Sequence, residues 1–188
     1  MGWGTQYICL DSATLRQLYR MTYQQDECVC CDRQDRGHCK VQVVDVQSSQ
    51  LLWTIERLSG TDSVSVYTTT GTVIGTASSG SGYDCCNPMV HAVINVYDDG
   101  GRHALCLMER NKDDCCRDNG SLHYTLTPAV NVGSAPVIGN ASIATERGCC
   151  SISPQASVSY PMDLQVKVKA ATIGAVVLAL SSWRFRQR

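Results

Sequence analysis

The feature that most constrains this chain is an uninterrupted apolar run from Ala170 to Leu180. Every residue in the run is apolar or small, and the run is longer than an ordinary buried strand, so a helix is predicted. A helix that is apolar around its whole circumference needs a protein core or a lipid bilayer on every side. Its opposite faces are equally apolar, one with Leu164, Val168, Ala171, Ala175 and Leu178 and the other with Ile173, Val176, Val177 and Leu180.

Length favours the protein core. A helix over residues 170–183 would span roughly 20 Å at about 1.5 Å per residue, whereas the hydrocarbon core of a bilayer is roughly 30 Å thick. Extension back to Leu164 brings in Lys167 and Lys169, which could extend towards a membrane surface. We therefore predict a central helix over residues 164–183 with Asp163 as its N-cap. A bilayer span is the main alternative, and an amphipathic surface helix is disfavoured because no polar face exists.

Composition sets broad limits on the class of protein. The 188 residues predict one domain, 1–188, whose first 17 residues form a poorly defined N-terminal arm. The 16 basic and 17 acidic residues give no basic excess, so a nucleic-acid partner is not expected. The N-terminal sequence lacks the basic and apolar regions of a secretory signal, which predicts a reducing, cytosolic environment for the 12 cysteines.

The part of the chain before the apolar run is typical of a β protein. Short alternating segments recur every 8–12 residues or so between turn signals, as in sandwiches and barrels, and Asp98–Gly101 is a strong hairpin turn. Residues 11–25 fit either a short helix or a strand over Leu18–Tyr23. A closed barrel around the apolar helix would cover that helix and remove the sheet edges. The remaining predicted strands are Lys40–Val46, Leu51–Leu58, Ser63–Thr68, Thr72–Ala77, Val90–Tyr97, His103–Glu109, Ser121–Thr127, Pro136–Ala141 and Ala156–Tyr160.

A short internal repeat lies within this β region. Residues Val73–Ser78 read VIGTAS, and Val137–Ser142 read VIGNAS. We interpret the pair as one type of hairpin used twice in the same sheet.

The segment that precedes the apolar run carries a family resemblance. Tyr160–Ala170, followed by Ile173–Ala175, resembles the C-terminal motif of the phospholipid scramblase family, which is related in fold to the tubby C-terminal domain. Weaker similarities lie in the same order along residues 18–185. They are the cysteine loop Cys28–Cys31, the strand Thr54–Arg57, the segments Gly71–Ser78 and Pro136–Ser142, and the pair Cys115–Cys116 before Ser121–Leu126.

The resemblance implies a closed antiparallel barrel of about 12 strands around a central hydrophobic helix. It also implies ATP-independent, bidirectional movement of phospholipids between leaflets, promoted by Ca²⁺, at the cytosolic face of a membrane, with the plasma membrane as the expected one. The partner would be the phospholipid membrane and, in some cases, other proteins. The alternative is an acylated, non-transporting adaptor that binds lipids or proteins. The residues that would form the central or membrane helix are Ile173, Val176, Val177, Leu178, Leu180 and Trp183.

The chain departs from the family at the acidic segment before its last strand. The two carboxylate positions are Ile152 and Pro154 here, and only Asp163 in the following motif is retained. Neither Ile152 nor Pro154 can supply the oxygen ligands that Ca²⁺ requires.

Cysteines in predicted loops are candidates for S-acylation with palmitate, and two or more acyl chains are needed for stable anchoring. Unmodified thiols are one alternative. Zinc binding by the cysteines at 28, 30, 31 and 39 with His38 is another, although the spacing is not that of a standard zinc site. The acylation candidates are Cys28, Cys30, Cys31, Cys85, Cys86, Cys115 and Cys116.

The remaining polar residues indicate no catalytic chemistry. Aspartates near loops could bind a cation, but we favour turn formation, in which Asp accepts hydrogen bonds from nearby backbone. His91, His103 and His123 are predicted within strands. No hydrolase, nucleotide-binding or zinc-protease motif occurs, so the chain is not expected to be an enzyme. The aspartates concerned are Asp84, Asp98, Asp99, Asp113, Asp114 and Asp118.

Overall fold

The protein is mainly β, with antiparallel strands and one C-terminal helix, as the sequence predicts. The computed structural model describes residues 5–10, 17–25, 38–58, 61–80, 93–109, 121–129, 135–147 and 152–184. These ranges contain eleven strands, β1–β11, and the helix α1. The chain divides into two compact units, Met1–Ile74 and Gly75–Arg188. The single domain expected from the sequence stays a prediction.

The first unit is a meander in which each strand pairs with the next in the chain. Residues 18–23, which fit either a helix or a strand, lie in strand β2. β1 falls within the N-terminal arm that the sequence left undefined. The strands are β1 (Thr5–Leu10), β2 (Gln17–Gln25), β3 (Cys39–Asp45), β4 (Leu51–Arg57) and β5 (Ser63–Thr68).

One face of β3–β5 is buried. Burial alternates along β3, and Val41 lies opposite Ile55, which in turn lies opposite Val66. All three side chains are at most 1% exposed. The alternation that predicted these strands therefore also identifies their buried face.

The second unit is a further antiparallel meander that ends in the helix. The predicted strand His103–Glu109 is confirmed, whereas the last two strands overlap their predicted ranges but have different bounds. Strand β6 spans Val73–Ser79, and its residues from Gly75 onward belong to the second unit. The other elements are β7 (Val93–Asp98), β8 (His103–Glu109), β9 (Ser121–Pro128), β10 (Gly139–Arg147), β11 (Ile152–Ser159) and α1 (Val166–Arg184).

Closure of the sheet into a barrel is not shown. Within the described ranges, β1 pairs with β2 and β11 pairs with β10, and neither has a second partner strand. Pro154 lies in β11, where a proline is tolerated because an outer strand has one unpaired side.

The helix begins at Val166, two residues later than predicted. The backbone carbonyl of Gln165 accepts the hydrogen bond from Lys169 N, so Gln165 rather than Asp163 is the residue at the N-cap position. The prediction of Asp163 as N-cap is wrong, because the chain first makes a turn in which Leu164 N donates to Pro161 O.

Helix α1 is buried around most of its circumference. Ala171, Ala175 and Leu178 on one face are fully buried, and Val176, Val177 and Leu180 on the other face are 5–7% exposed. The buried hydroxyl of Thr172 donates to Val168 O at 2.8 Å, which satisfies its hydrogen-bonding capacity. The helix contacts β7 and β11. The prediction of a helix that needs cover on both faces is therefore confirmed.

Within the described part of the chain, α1 included, no helix is long and apolar enough to cross a membrane.

Each of the two repeat segments contains a glycine at a position where a larger side chain would not fit. A Cβ on Gly75 would lie 2.7 Å from Ala171 Cβ and 3.0 Å from Tyr97 O. A Cβ on Gly139 would collide with the backbone carbonyl of Ser159. Both glycines are buried. The repeat therefore marks two places where another part of the chain approaches a strand closely.

Substitution of Gly75 tests the contact between β6 and α1. We expect Gly75→Ala to lower the free energy of unfolding by about 1–3 kcal/mol, because the new methyl group overpacks the contact with Ala171. Adding Ala171→Gly should recover part of the stability that Gly75→Ala loses, once the separate cost of a glycine within the helix has been subtracted. Urea unfolding of the two single variants and the double variant measures the coupling. Losses that simply add would contradict this contact.

Candidate functional site at the helix and the adjoining end of the sheet

The start of α1 is tied to the β7–β8 turn by an ion pair. Lys167 Nζ donates to Asp99 Oδ2. A lysine in the first helical turn is unfavourable because the helix dipole is positive there, and the first turn of α1 contains no acidic residue. Asp99 therefore supplies from the sheet the negative charge that the helix itself lacks.

The neighbouring carboxylate of Asp98 holds the same turn together. Its Oδ1 accepts from the backbone nitrogens of Gly100 and Arg102, each at 2.9 Å, and its Oδ2 accepts from Arg102 Nε at 3.0 Å. These bonds, the one from the Arg102 backbone first, lower the pKa of Asp98, and the hydrogen bond from Lys167 lowers the pKa of Asp99. The predicted role of Asp98 in turn formation is confirmed. Both contributions to stability are present at neutral pH and disappear as pH falls below the ordinary value of 3.8.

A second lysine fixes the turn that leads into the helix. Lys169 Nζ donates to Met162 O at 2.6 Å and lies 5.5 Å from the centre of the Tyr160 ring. Tyr160, Met162 and Lys169 all belong to the motif that resembles the scramblase family. The motif therefore has a structural role here, since it connects the last strand to the helix.

A Cys–His–Asn cluster lies on β7 and β8. Cys106 Sγ is 3.2 Å from His103 Nε2 and 3.4 Å from Asn95 Oδ1. Because the amide oxygen only accepts, the thiol hydrogen is directed to Asn95. Burial raises the pKa of Cys106. In thiol hydrolases the histidine lies between the other two residues and activates the thiol. Here the cysteine is in the middle and stays protonated.

No sequence pattern indicates this cluster, because it depends on a β-bulge. Residues three apart in a regular strand point to opposite faces of the sheet. The register between β7 and β8 shifts, so that Val96 pairs with Leu105 and Tyr97 pairs with His103. The skipped residue brings His103 to the same face as Cys106. His103 and His123 lie in strands as predicted, and His91 is outside the described residues.

Tyr124 is a buried polar residue that the sequence also did not single out. It is 1% exposed on β9, and among the described residues its hydroxyl has no hydrogen-bond partner. Burial, assisted by the charge of Glu109, raises the pKa of Tyr124 far above its ordinary value of 10.0. Its hydroxyl is therefore neutral at physiological pH and costs stability.

The candidate acylation sites cannot be placed. All seven candidate cysteines lie outside the described residues, as do Asp84, Asp113, Asp114 and Asp118. In the described ranges, Cys39 and Cys106 are buried, and the backbone of Cys9 lies in β1.

The predicted helix residues are brought together in α1. Val176, Val177, Leu178 and Leu180 are buried, and Ile173 is half-buried. Trp183 also lies in α1, but its side chain is outside the description.

The positions that correspond to the family's calcium segment lie in a strand. Ile152 is paired with Arg147, and Pro154 is paired with Thr145. Asp163 is exposed in the turn before α1. Among the residues that the structure covers, no group of three or more His, Cys, Asp or Glu side chains could hold a metal ion. The binding of Ca²⁺ stays a prediction from the resemblance.

Compared with family models, curated proteins and solved structures, the chain matches none of them.

Removal of the Tyr124 hydroxyl tests its energetic cost. We expect Tyr124→Phe to raise the free energy of unfolding by about 1 kcal/mol at neutral pH, because a buried hydroxyl without a partner is lost. Since the pKa is raised in the folded state, the unfolded chain loses this proton first, and wild-type stability falls as pH rises above about 10. The variant should lose less stability there. Urea unfolding at neutral and alkaline pH measures both effects, with Tyr67→Phe as a half-buried control. A destabilised Tyr124→Phe variant would indicate a partner for the hydroxyl.

The burial of Cys39 and Cys106 predicts that neither thiol is acylated. Maleimide should leave both unlabelled in the native protein and label both in denaturant, because alkylation requires an accessible thiolate. Acyl exchange with hydroxylamine on protein isolated from cells should likewise modify only other cysteines. Peptide mass spectrometry locates each label. An acyl group found on Cys106 would contradict its placement.

Proposed function

We propose that this protein is a scramblase-like membrane protein that moves phospholipids between leaflets without ATP. The observation that carries the proposal is the C-terminal motif together with its structural role. Its lysines connect an apolar helix to the sheet, through Asp99 for Lys167 and through Met162 O for Lys169. Such a helix, used as a core element after a run of antiparallel strands, is what the resemblance implies.

The closed barrel of about 12 strands belongs to the same proposal. Its support is the burial of α1 on opposite faces, since a sheet covering one side alone would leave the other side exposed. Gly75 adds support because it allows the helix to approach β6 closely.

The proposed activity involves no bond chemistry. Phospholipid head groups would follow a polar route along the protein while their tails remain in hydrocarbon. Each lipid would move down its own concentration gradient, in whichever direction that gradient points, so no nucleotide is required, which agrees with the lack of a phosphate-binding loop in the sequence. Palmitate on the loop cysteines would hold the protein at the cytosolic face, because two or more chains give stable attachment.

A non-transporting adaptor is the second candidate. It is favoured by Ile152 and Pro154, which provide no carboxylate at the positions of the family's calcium segment and which pair with β10 as ordinary strand residues. In this case the acylated protein would bind lipids or proteins at the membrane without moving lipids.

Lipid exchange in liposomes tests the primary proposal. The purified full chain is reconstituted with fluorescent phospholipid, and an impermeant quencher is added with and without Ca²⁺. We expect quenching to proceed beyond the outer leaflet, with no response to Ca²⁺ because the oxygen ligands are lacking. Quenching confined to the outer leaflet in every condition would reject transport.

Restoring the two carboxylates provides a sharper variant. Ile152→Asp with Pro154→Asp should introduce stimulation by Ca²⁺, while Ile152→Asn with Pro154→Asn, matched in size but uncharged, should not. Flotation of cell-derived protein then separates the candidates: membrane binding that hydroxylamine weakens, without lipid movement, indicates the adaptor.

A further inference from the structure

The end of the second unit where α1 begins carries exposed apolar side chains. Met162 is 95% exposed, Val166 is 74% exposed and Val137 is 52% exposed. We call these three residues the apolar tip. Large apolar side chains are costly to leave in water, and several of them together indicate a binding surface.

The three residues share one end of the sheet. Gly139 packs against the backbone of Ser159 and Tyr160, and Asn140 lies opposite Ser159. Val137 and Met162 are each two residues beyond that contact, so the two segments leave the sheet at the same end. Val166 follows Met162 by four residues, at the first position of α1.

In two ion pairs near the apolar tip, the basic side chain is more exposed than its acidic partner. In the pair Arg102–Asp98 the arginine side chain is 83% exposed and the aspartate 11%. In the pair Lys167–Asp99 the lysine is 54% exposed and the aspartate 40%. The cation is thus the more exposed member of each pair. Asp163 adds an exposed carboxylate.

The apolar tip is also held in position. Lys169 Nζ bonds the carbonyl of Met162 itself, and the ion pair of Lys167 with Asp99 fixes the start of the helix. The exposed side chains therefore project from a tied backbone, and little ordering is needed when they are buried.

We propose that the apolar tip inserts into the surface of an anionic phospholipid bilayer. The aliphatic side chains would enter the boundary between head groups and acyl chains, while the exposed Arg102 contacts lipid phosphates and carboxylates. This attachment is separate from any acyl chain, and it sets the orientation of α1, with its first turn nearest the membrane. The inference deepens the proposed function and rests on it for the presence of a membrane.

Vesicle flotation of the full chain made in bacteria, and therefore without palmitate, tests the proposal. The wild-type protein should float with vesicles of phosphatidylserine and phosphatidylcholine, less with phosphatidylcholine alone, and less at high salt. Met162→Asp and Val166→Asp should each weaken binding about tenfold, since each removes an apolar group that is transferred from water. Leu58→Asp is the matched control: Leu58 is 62% exposed in the first unit, and its substitution should change nothing.

Charge variants test whether the exposed charged side chains near the apolar tip contribute to membrane binding. Arg102→Gln should weaken binding to anionic vesicles about fivefold, from the loss of one cation near the surface. Asp163→Asn should strengthen it, and neither variant should affect binding to neutral vesicles. Equal flotation of the wild type, Met162→Asp and Leu58→Asp would overturn the proposal. So would a wild-type dimer that Met162→Asp converts to a monomer without lipid, which would assign the surface to self-association.

The outcomes separate this inference from the proposed function. Lipid transport that persists when Met162→Asp and Val166→Asp leave flotation unchanged would overturn docking by the apolar tip alone. Flotation that depends on the apolar tip, without transport in the liposome assay, would reject the proposed function and leave the docking surface in place.

Discussion

A helix without a polar face is stable only where something apolar surrounds it, and α1 imposes this requirement on the second unit. Its residues from Ala170 to Leu180 are buried apart from a half-buried Ile173. Burial of a valine or leucine side chain contributes roughly 1.5–3 kcal/mol, so the helix is a large part of the core. The alternating apolar residues of β7, such as Ile94 and Val96, are fully buried in turn. The strands and the helix therefore depend on each other for cover.

Apolar contacts alone would allow α1 to slide along the sheet, so other contacts must fix its position. Gly75 allows Ala171 to come against the strand backbone. The charged contacts of Lys167 and Lys169 are confined to the first turn. Together, one close steric contact and two polar contacts determine how far along the sheet the helix begins.

The sequence predicted the alternating strands and the apolar helix well because both follow from periodic burial. β5 (Ser63–Thr68) and β8 are examples in which the pattern coincides with the strand. It failed where a turn or a bulge decides the outcome. Asp163 looked like a cap, yet the Pro161 turn delays the helix to Val166. The contact of His103 with Cys106 requires a bulge that the composition of the strand does not reveal. The cysteine loops, which carried most of the site prediction, lie outside the described residues.

The order of the elements along the chain has a consequence for biosynthesis. Each strand of the second unit pairs with its neighbour in sequence, so hairpins can form as soon as they leave the ribosome. Helix α1 follows all the strands. Until it has been synthesised, the apolar residues of β7, such as Ile94 and Val96, lack the cover of the helix, and the growing chain exposes an apolar surface that favours aggregation. Nascent protein of this kind would depend on chaperones until translation passes the helix.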